Sequence, residues 1–166
     1  MKRILVVEDG TEYVTAFERL ARPGAEVSFV RATDLDEALA ALAGERVDAV
    51  FLDVVFDRIP AERLAGDLDA LIARFGGDRP RAERHLADHQ GFYLLDALAP
   101  QLASGLPVVL AHDFSGEPER YAALAKRVPG LVGLPDGATA TVALGLLMHA
   151  PGTREWSDGK AEERGD

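Results

Sequence analysis

The chain has 166 residues, of which 48% are hydrophobic, and it contains no cysteine. This size and composition suit one folded domain with a buried core, and they exclude disulfide bonds and thiolate metal sites. The formal net charge of −10 opposes direct binding to a nucleic-acid backbone unless a local basic patch overrides it. Because no apolar stretch is long enough for a signal peptide or a membrane span, we expect a soluble, cytoplasmic protein.

Short apolar runs alternate with helical periodicity along most of the chain. Strands are predicted where β-branched and aromatic residues cluster, at residues 3–7, 26–32, 47–53, 105–112 and 130–135. Helices are predicted where apolar residues recur every three or four positions, at residues 11–22, from 34, from about 90, at 118–128 and at 138–150. This alternation indicates a parallel sheet with helices on both faces. The tail, residues 151–166, has only Trp156 as a large apolar anchor, and we expect it to be mobile.

Three carboxylates follow two of the predicted strands. Glu8 and Asp9 follow the first strand, and Asp53 follows the third. If these strands are neighbours, the carboxylates converge at the carboxyl edge of the sheet, where ligand sites of such folds lie. An all-oxygen cluster of this kind suits Mg²⁺, which needs few protein ligands. The alternative, that these acids are solvated or cap the following helix, stays open and is favoured for Asp9 considered alone.

Six stretches of the sequence follow one another in a familiar order. They are ILVVEDGTEYVTAFERLA, ATDLDEALAAL, VDAVFLDVVF, QGFYLLDALA, LPVVLAHD and GLVGLPD. This succession resembles the receiver domain of two-component response regulators, over about residues 2–150 apart from one insertion. The resemblance implies an α/β, flavodoxin-like, doubly wound fold whose five-stranded parallel sheet has the order 2-1-3-4-5.

The resemblance also implies roles for the residues at the sheet edge. Asp53 occupies the phosphoacceptor position, Asp9 would bind Mg²⁺ directly, and Glu8 would hold it through water. The carbonyl of Val55 would complete the protein ligands. We expect a stand-alone module of this kind that acts in phosphorelay signal transduction through a protein partner, either a kinase or a downstream regulator, with a homodimer as an open alternative. We expect no enzymatic activity beyond autophosphorylation from a phosphodonor.

Three positions depart from the receiver pattern. Alignment on Pro107 puts His112 where receivers have Ser or Thr, and Leu134 precedes Pro135 where they have Lys. Leu131 stands at the position of their aromatic switch residue. Without the lysine, a phosphoryl group on Asp53 would lack a charge partner, so we expect a pseudo-receiver in which phosphorylation is weak or absent. Whether His112 compensates or touches nothing is left open.

A long insertion, about residues 58–89, separates the third strand from the third helix of the receiver pattern. Pro60 suits a helix N-terminus, and an apolar stripe predicts a helix that ends at Gly76 and Gly77; the stripe consists of Leu64, Leu68, Leu71, Ile72 and Phe75. A second helix is predicted near residues 80–88. Its six arginines are balanced by seven acids between Asp57 and Asp88, which favours local ion pairs. We expect a helical cover near the acidic edge that supplies a partner surface.

Two further patterns carry weaker hypotheses. His85 and His89 are four residues apart on one helix face, the spacing of a two-histidine metal site, but a third ligand is missing and helix packing is favoured. The rival function is a Toprim-like, Mg²⁺-dependent nuclease or phosphoryl-transfer domain, with Asp53 and Asp57 as its paired acids. Their separation of four residues fits that class less well than the helix pattern fits receivers.

Overall fold

The structure is a computed structural model that describes residues 1–149. Its strands are β1 Lys2–Val7, β2 Val27–Ala32, β3 Ala49–Leu52, β4 Val108–Leu110 and β5 Leu131–Gly133. They form one parallel sheet with the order β2-β1-β3-β4-β5. This confirms the predicted α/β fold and its strand order. The predicted mobile tail, residues 151–166, lies outside the described residues.

Helices connect the strands on both faces of the sheet. They are α1 Glu12–Leu20, α2 Leu35–Ala43, α3 Leu68–Arg74, α4 Arg79–Asp88, α5 Gln90–Leu102, α6 Pro118–Arg127 and α7 Ala140–Met148. The Asp34 side chain caps α2 by accepting the Glu37 N–H at 2.8 Å, as the sequence pattern indicates. In the part of the chain that the structure describes, no helix has the length and apolar character to cross a membrane.

Alternate side chains of the interior strand β1 enter two separate cores. Leu5 and Val7 pack in a core with residues of α2 and α5. Ile4 and Val6 pack on the opposite face, with residues of α1 and α7. Because successive strand residues point to opposite faces, a run of apolar residues is needed to fill both cores.

The insertion folds as a short 3₁₀ turn, Ala61–Arg63, followed by α3 and α4. The prediction of one helix running from Pro60 through Leu64 was wrong. Leu64 is extended, with φ −72° and ψ 139°, and Gly66 has a positive φ of 118°, so the chain turns before α3 begins. The predicted helix end at Gly76 and Gly77 is confirmed, and α4 agrees with the predicted second helix.

The apolar stripe of the insertion is buried within this chain. Leu71, Ala82 and Leu86 form a third apolar cluster. The other stripe residues pack against this cluster together with Tyr93 of α5; they are Leu64, Leu68, Ile72 and Phe75. The stripe therefore fixes α3 onto α4 and the start of α5.

Hydrogen bonds tie the insertion to the body of the protein. The buried amide of Gln90 accepts the Ala65 N–H at 2.6 Å and donates to the Ala65 carbonyl at 3.0 Å. Phe56 donates its N–H to the Ala87 carbonyl at 2.9 Å. Arg63 pairs with Asp34 at 2.6 Å, at the start of α2. The first part of the insertion and its end are thus anchored to the body.

Candidate functional site at the carboxyl ends of β1 and β3

The carboxyl ends of β1 and β3 lie side by side because these strands are neighbours in the sheet. Val7 pairs with Leu52, and each is the last residue of its strand. The Asp53 N–H then donates to the Val7 carbonyl at 3.0 Å. Since Glu8 and Asp9 follow Val7 directly, the structure brings all three predicted carboxylates to one edge of the sheet.

Asp53 carries a strongly perturbed carboxyl group. Burial raises the pKa of Asp53 to about 6, and the surrounding negative charges act in the same direction; they belong to Asp9, Glu8 and Glu12. The Val54 N–H donates to Oδ1 at 2.8 Å and partly opposes this effect. The charged neighbours that act on Asp53 most strongly are all carboxylates. A cation in this pocket would therefore lower the cost of ionising Asp53.

Glu8 is 1% exposed and turns toward the start of α1. Its Oε1 accepts the Tyr13 N–H at 3.1 Å, and its Oε2 accepts the Val14 N–H at 2.8 Å. Burial raises the pKa of Glu8, while these two hydrogen bonds oppose the rise. Glu8 thus satisfies backbone N–H groups at the first turn of α1, where an anion is favoured. Its role as a ligand through water stays a prediction.

Asp9 holds the segment after β3 against the segment after β1. Its Oδ2 accepts the backbone N–H groups of Asp57 and Arg58, each at 2.8 Å. Within the described chain these are its hydrogen bonds, so Oδ1 is open to a further ligand. Asp57, the second acid of the nuclease alternative, is exposed and contributes its backbone to this contact.

An ion pair between Arg58 and Glu12, hereafter the Arg58–Glu12 clasp, joins the same two segments. A Cβ atom at Gly10 would overlap both side chains, so the absence of a side chain at Gly10 makes room for the clasp. Hydrogen bonding to Arg58 lowers the pKa of the exposed Glu12 carboxyl. The charges of Glu12, Asp9 and Asp57 all stabilise the Arg58 cation. The clasp therefore places a positive charge beside the acidic pocket.

Helix α5 packs closely against the backbone around Asp53. Gly91 donates its N–H to the Val54 carbonyl at 3.0 Å. A Cβ at Gly91 would lie 2.5 Å from the Asp53 carbonyl oxygen, so only glycine permits this approach. Val55 follows and is 46% exposed. The use of its carbonyl as a Mg²⁺ ligand stays a prediction.

The donor set fits Mg²⁺ in chemistry and number. Among residues 1–149, no three His, Asp or Glu side chains are arranged to enclose a metal ion. Mg²⁺ does not need such a cage, because it keeps several waters and commonly uses one or two carboxylates. Asp9 and Asp53 would supply those carboxylates. Bound there, the ion would neutralise charge on Asp53 and on a phosphoryl group attached to it.

The His112 side chain contacts residues in α5 and just before α6. Its Nε2 lies 2.5 Å from Glu117 Oε2. Its ring meets the rings of Phe92 and Phe114 edge to face, with centroids 4.9 and 4.8 Å apart. Of the two alternatives left open for His112, the one in which it touches nothing is therefore wrong. Whether it replaces the receiver hydroxyl stays untested.

The two remaining departures are packing residues. Leu134 is 7% exposed and belongs to the core that contains α7 residues Ala143 and Leu147. Leu131 is 1% exposed, and its carbonyl accepts the Tyr121 hydroxyl at 2.7 Å. Both positions thus contribute apolar contacts where the receiver pattern has a cation and a mobile aromatic ring.

The histidine pair in α4 is stacked. The rings of His85 and His89 have centroids 4.3 Å apart, and His89 Nδ1 lies 2.8 Å from the His85 carbonyl oxygen. This arrangement uses one nitrogen of His89 inside the helix. A metal role for the pair stays an untested alternative, and the contacts fit the favoured interpretation of helix packing.

Sequence reasoning did not identify the Arg58–Glu12 clasp or the role of Gly91. Arg58 appears in the sequence only as one of six arginines in the insertion, and its partner is 46 residues away. The Gly at position 91 offers the one usable signal, because a glycine in the first turn of a helix often marks a close backbone approach.

Comparison with known proteins gives structural matches alone. No protein-family model and no curated protein matches the chain. The chemotaxis protein CheY4 of Vibrio cholerae is 19% identical with a TM-score of 0.54, and the match covers 90% of this chain and 98% of that one. A CheY-like response regulator receiver domain protein of Methanospirillum hungatei is 15% identical with a TM-score of 0.53, covering 98% of both chains.

NtrX of Brucella abortus matches with 20% identity and a TM-score of 0.54, and the match covers all of this chain but 31% of NtrX. Identities this low establish a shared fold. The resemblance read from the sequence is confirmed at that level: the chain has the fold of response regulator receiver domains.

Proposed function

We propose that this chain is an atypical receiver module that acts in signal transduction by binding a protein partner. One observation carries the proposal. A half-buried carboxylate, Asp53, follows β3 of a receiver fold beside Asp9, while Leu134 is buried among apolar side chains at the position of the receiver lysine. The chain thus combines an acidic pocket with apolar residues, Leu134 and Leu131, at the two positions where receivers have a lysine and an aromatic switch residue. The module corresponds to residues 1–150, and the insertion is part of it.

We further propose that the pocket binds Mg²⁺ through Asp9 and Asp53. Isothermal titration of the metal-free protein with Mg²⁺ should give one site, and Asp53→Asn should weaken it roughly tenfold or more because one charged ligand is lost. Asp57→Asn is the matched control, because it removes an exposed carboxylate at the same edge and should change the affinity little. Equal affinity in wild type and Asp53→Asn would exclude this site.

Phosphorylation of Asp53 should be weak or absent. No cation stands at position 134 to pair with a new phosphoryl group, and Leu131 has no ring to change rotamer in response. Incubation with acetyl phosphate and Mg²⁺, followed by intact mass measurement, should leave most of the wild-type protein unmodified.

The variant Leu134→Lys should react faster, because its ammonium group can reach the sheet edge and supply the missing charge. Val142→Lys adds the same charge at an exposed position of α7 and should behave like wild type. Rapid and nearly complete phosphorylation of the wild-type protein would contradict the proposal.

A further inference from the structure

Half of the arginines in the insertion have no acidic partner. Three form ion pairs: Arg58 with Glu12, Arg63 with Asp34 and Arg79 with Glu83. The other three are exposed and form no ion pair in the described part of the chain; they are Arg74, Arg81 and Arg84. These three guanidinium groups are therefore available to an external anion, although the chain as a whole has a net charge of −10. The expected local ion pairs therefore account for only part of this surface.

Two of these arginines lie around one aromatic ring. The guanidinium carbons of Arg81 and Arg74 are 4.6 and 5.6 Å from the centroid of the Phe75 ring. The His85 ring meets Phe75 edge to face, with the centroids 5.4 Å apart. Cation–π contacts of this kind restrain both guanidinium groups without neutralising them. Arg74, Phe75, Arg81 and His85 are hereafter the basic face.

The positive charges around His85 oppose protonation of its ring. Burial lowers the pKa of His85 first, and the neighbouring charges of His89, Arg74 and Arg81 lower it further. Asp88 opposes this effect. The nearby carboxylate of Asp78 is engaged in capping α4, where it accepts the Arg81 N–H at 3.1 Å. The positive charge of this face is therefore carried by the exposed side chains of Arg74 and Arg81, beside the partly buried rings of Phe75 and His85.

We propose that the basic face binds an acidic segment of a partner protein. The guanidinium groups of Arg74 and Arg81 would each donate hydrogen bonds to a carboxylate, since Arg pairs with carboxylates in a bidentate geometry. The accessible part of the half-buried Phe75 ring would contact an apolar side chain between them. A short acidic segment suits this face better than a nucleic acid, because the acidic body of the chain repels an extended polyanion.

This inference rests on the proposed function, because it names the chemistry of the protein partner. The basic face is also connected to the acidic pocket. Helix α4 ends at Ala87 and Asp88, where the Ala87 carbonyl accepts the Phe56 N–H at 2.9 Å. Phe56 lies three positions after Asp53 in the chain. A partner on the basic face would thus contact a helix that is hydrogen-bonded to the segment after β3.

The test uses a fluorescein-labelled peptide of glutamate and leucine residues and measures its anisotropy with the full chain. Wild type should bind, and binding should weaken between ~50 and ~150 mM NaCl. Arg74→Gln/Arg81→Gln should weaken binding roughly tenfold, since two charge-assisted contacts are lost. Arg19→Gln/Arg22→Gln removes the same charge at exposed positions near the end of α1 and should bind like wild type.

A second variant distinguishes a specific binding site from nonspecific electrostatic attraction. Phe75→Leu keeps every charge but removes the ring that restrains the guanidinium groups, so it should weaken binding severalfold while thermal unfolding shows a folded protein. Equal binding by wild type and Arg74→Gln/Arg81→Gln would overturn the inference. Tighter binding of a labelled oligothymidylate would overturn it in favour of nucleic acid.

Self-association provides the last outcome. If sedimentation shows a dimer that Arg74→Gln/Arg81→Gln abolishes, and the peptide does not compete, the acidic partner is a second copy and the inference fails. Asp53→Asn should bind the peptide like wild type. If the wild-type protein binds Mg²⁺ but does not bind the peptide, the inference about the basic face fails and the proposed Mg²⁺ pocket is unaffected.

Discussion

Asp53 combines burial with a negatively charged neighbourhood, and both effects oppose its ionisation. Its pKa is raised from 3.8 to about 6. The folded protein therefore holds this proton more tightly than the unfolded chain does, and stability falls as the pH rises through this range. A carboxylate at a strand end whose ionisation destabilises the folded protein is typical of a functional site rather than of a group that stabilises the fold.

The pH dependence of stability should reveal this cost. In EDTA at about pH 8, Asp53→Asn should be more stable than wild type by roughly 3 kcal/mol, because the amide cannot ionise. At about pH 5 the gain should fall to about half, since wild-type Asp53 is then largely protonated in the fold. Urea unfolding at both pH values measures the difference.

The control for this prediction is Asp57→Asn, which removes an exposed carboxylate and should show no comparable gain. A pH-independent gain in Asp53→Asn would mean that the substitution acts through packing. Addition of Mg²⁺ should stabilise wild type more than Asp53→Asn, because the ion binds the folded state through the ionised carboxylate.

At the scale of elements, the loop after β3 acts as a connector between the acidic pocket and the insertion. Asp9 accepts two backbone N–H groups of this loop, and the Arg58–Glu12 clasp connects the loop to the start of α1. The guanidinium of Arg58 competes with Mg²⁺ for the negative charge around Asp9. This internal cation partly compensates the acidic edge when no metal is bound.

Removal of this cation should strengthen Mg²⁺ binding. Arg58→Gln should raise the affinity roughly fivefold, the effect of one unit charge several ångströms away in a partly hydrated site. Arg46→Gln is the matched control, because Arg46 forms an ion pair with Asp48 at 2.7 Å before β3, at the opposite end of that strand. Weaker Mg²⁺ binding by Arg58→Gln would show that Arg58 orders the pocket instead.

The elements that the sequence predicts well are those whose pattern is local. Buried apolar runs such as residues 4–7 and 49–52 identify two of the inner strands, and the order of the motifs identifies the fold. The break at Leu64 and the turn at Gly66 were not predicted. They depend on the amide of Gln90, which binds the Ala65 backbone from 25 residues away. Contacts between distant residues have no local periodicity, so a pattern analysis does not detect them.

The whole molecule joins a receiver fold to an insertion that has an apolar cluster of its own. Leu71, Ala82 and Leu86 give the insertion a small core, while Gln90 and Phe56 join it to the body. Because the buried Gln90 amide is satisfied by the insertion, body and insertion should unfold as one cooperative unit.

A double-mutant cycle tests this coupling. In the intact chain, Gln90→Leu should cost roughly 1–3 kcal/mol, because the buried N–H and carbonyl of Ala65 lose their partner. In a variant whose residues 60–88 are replaced by a Gly-Ser linker, Ala65 is absent and the Gln90 amide is itself unsatisfied. Gln90→Leu should then be neutral or stabilising. Urea unfolding of the four proteins gives the coupling free energy, and equal costs in both backgrounds would show that insertion and body are energetically independent.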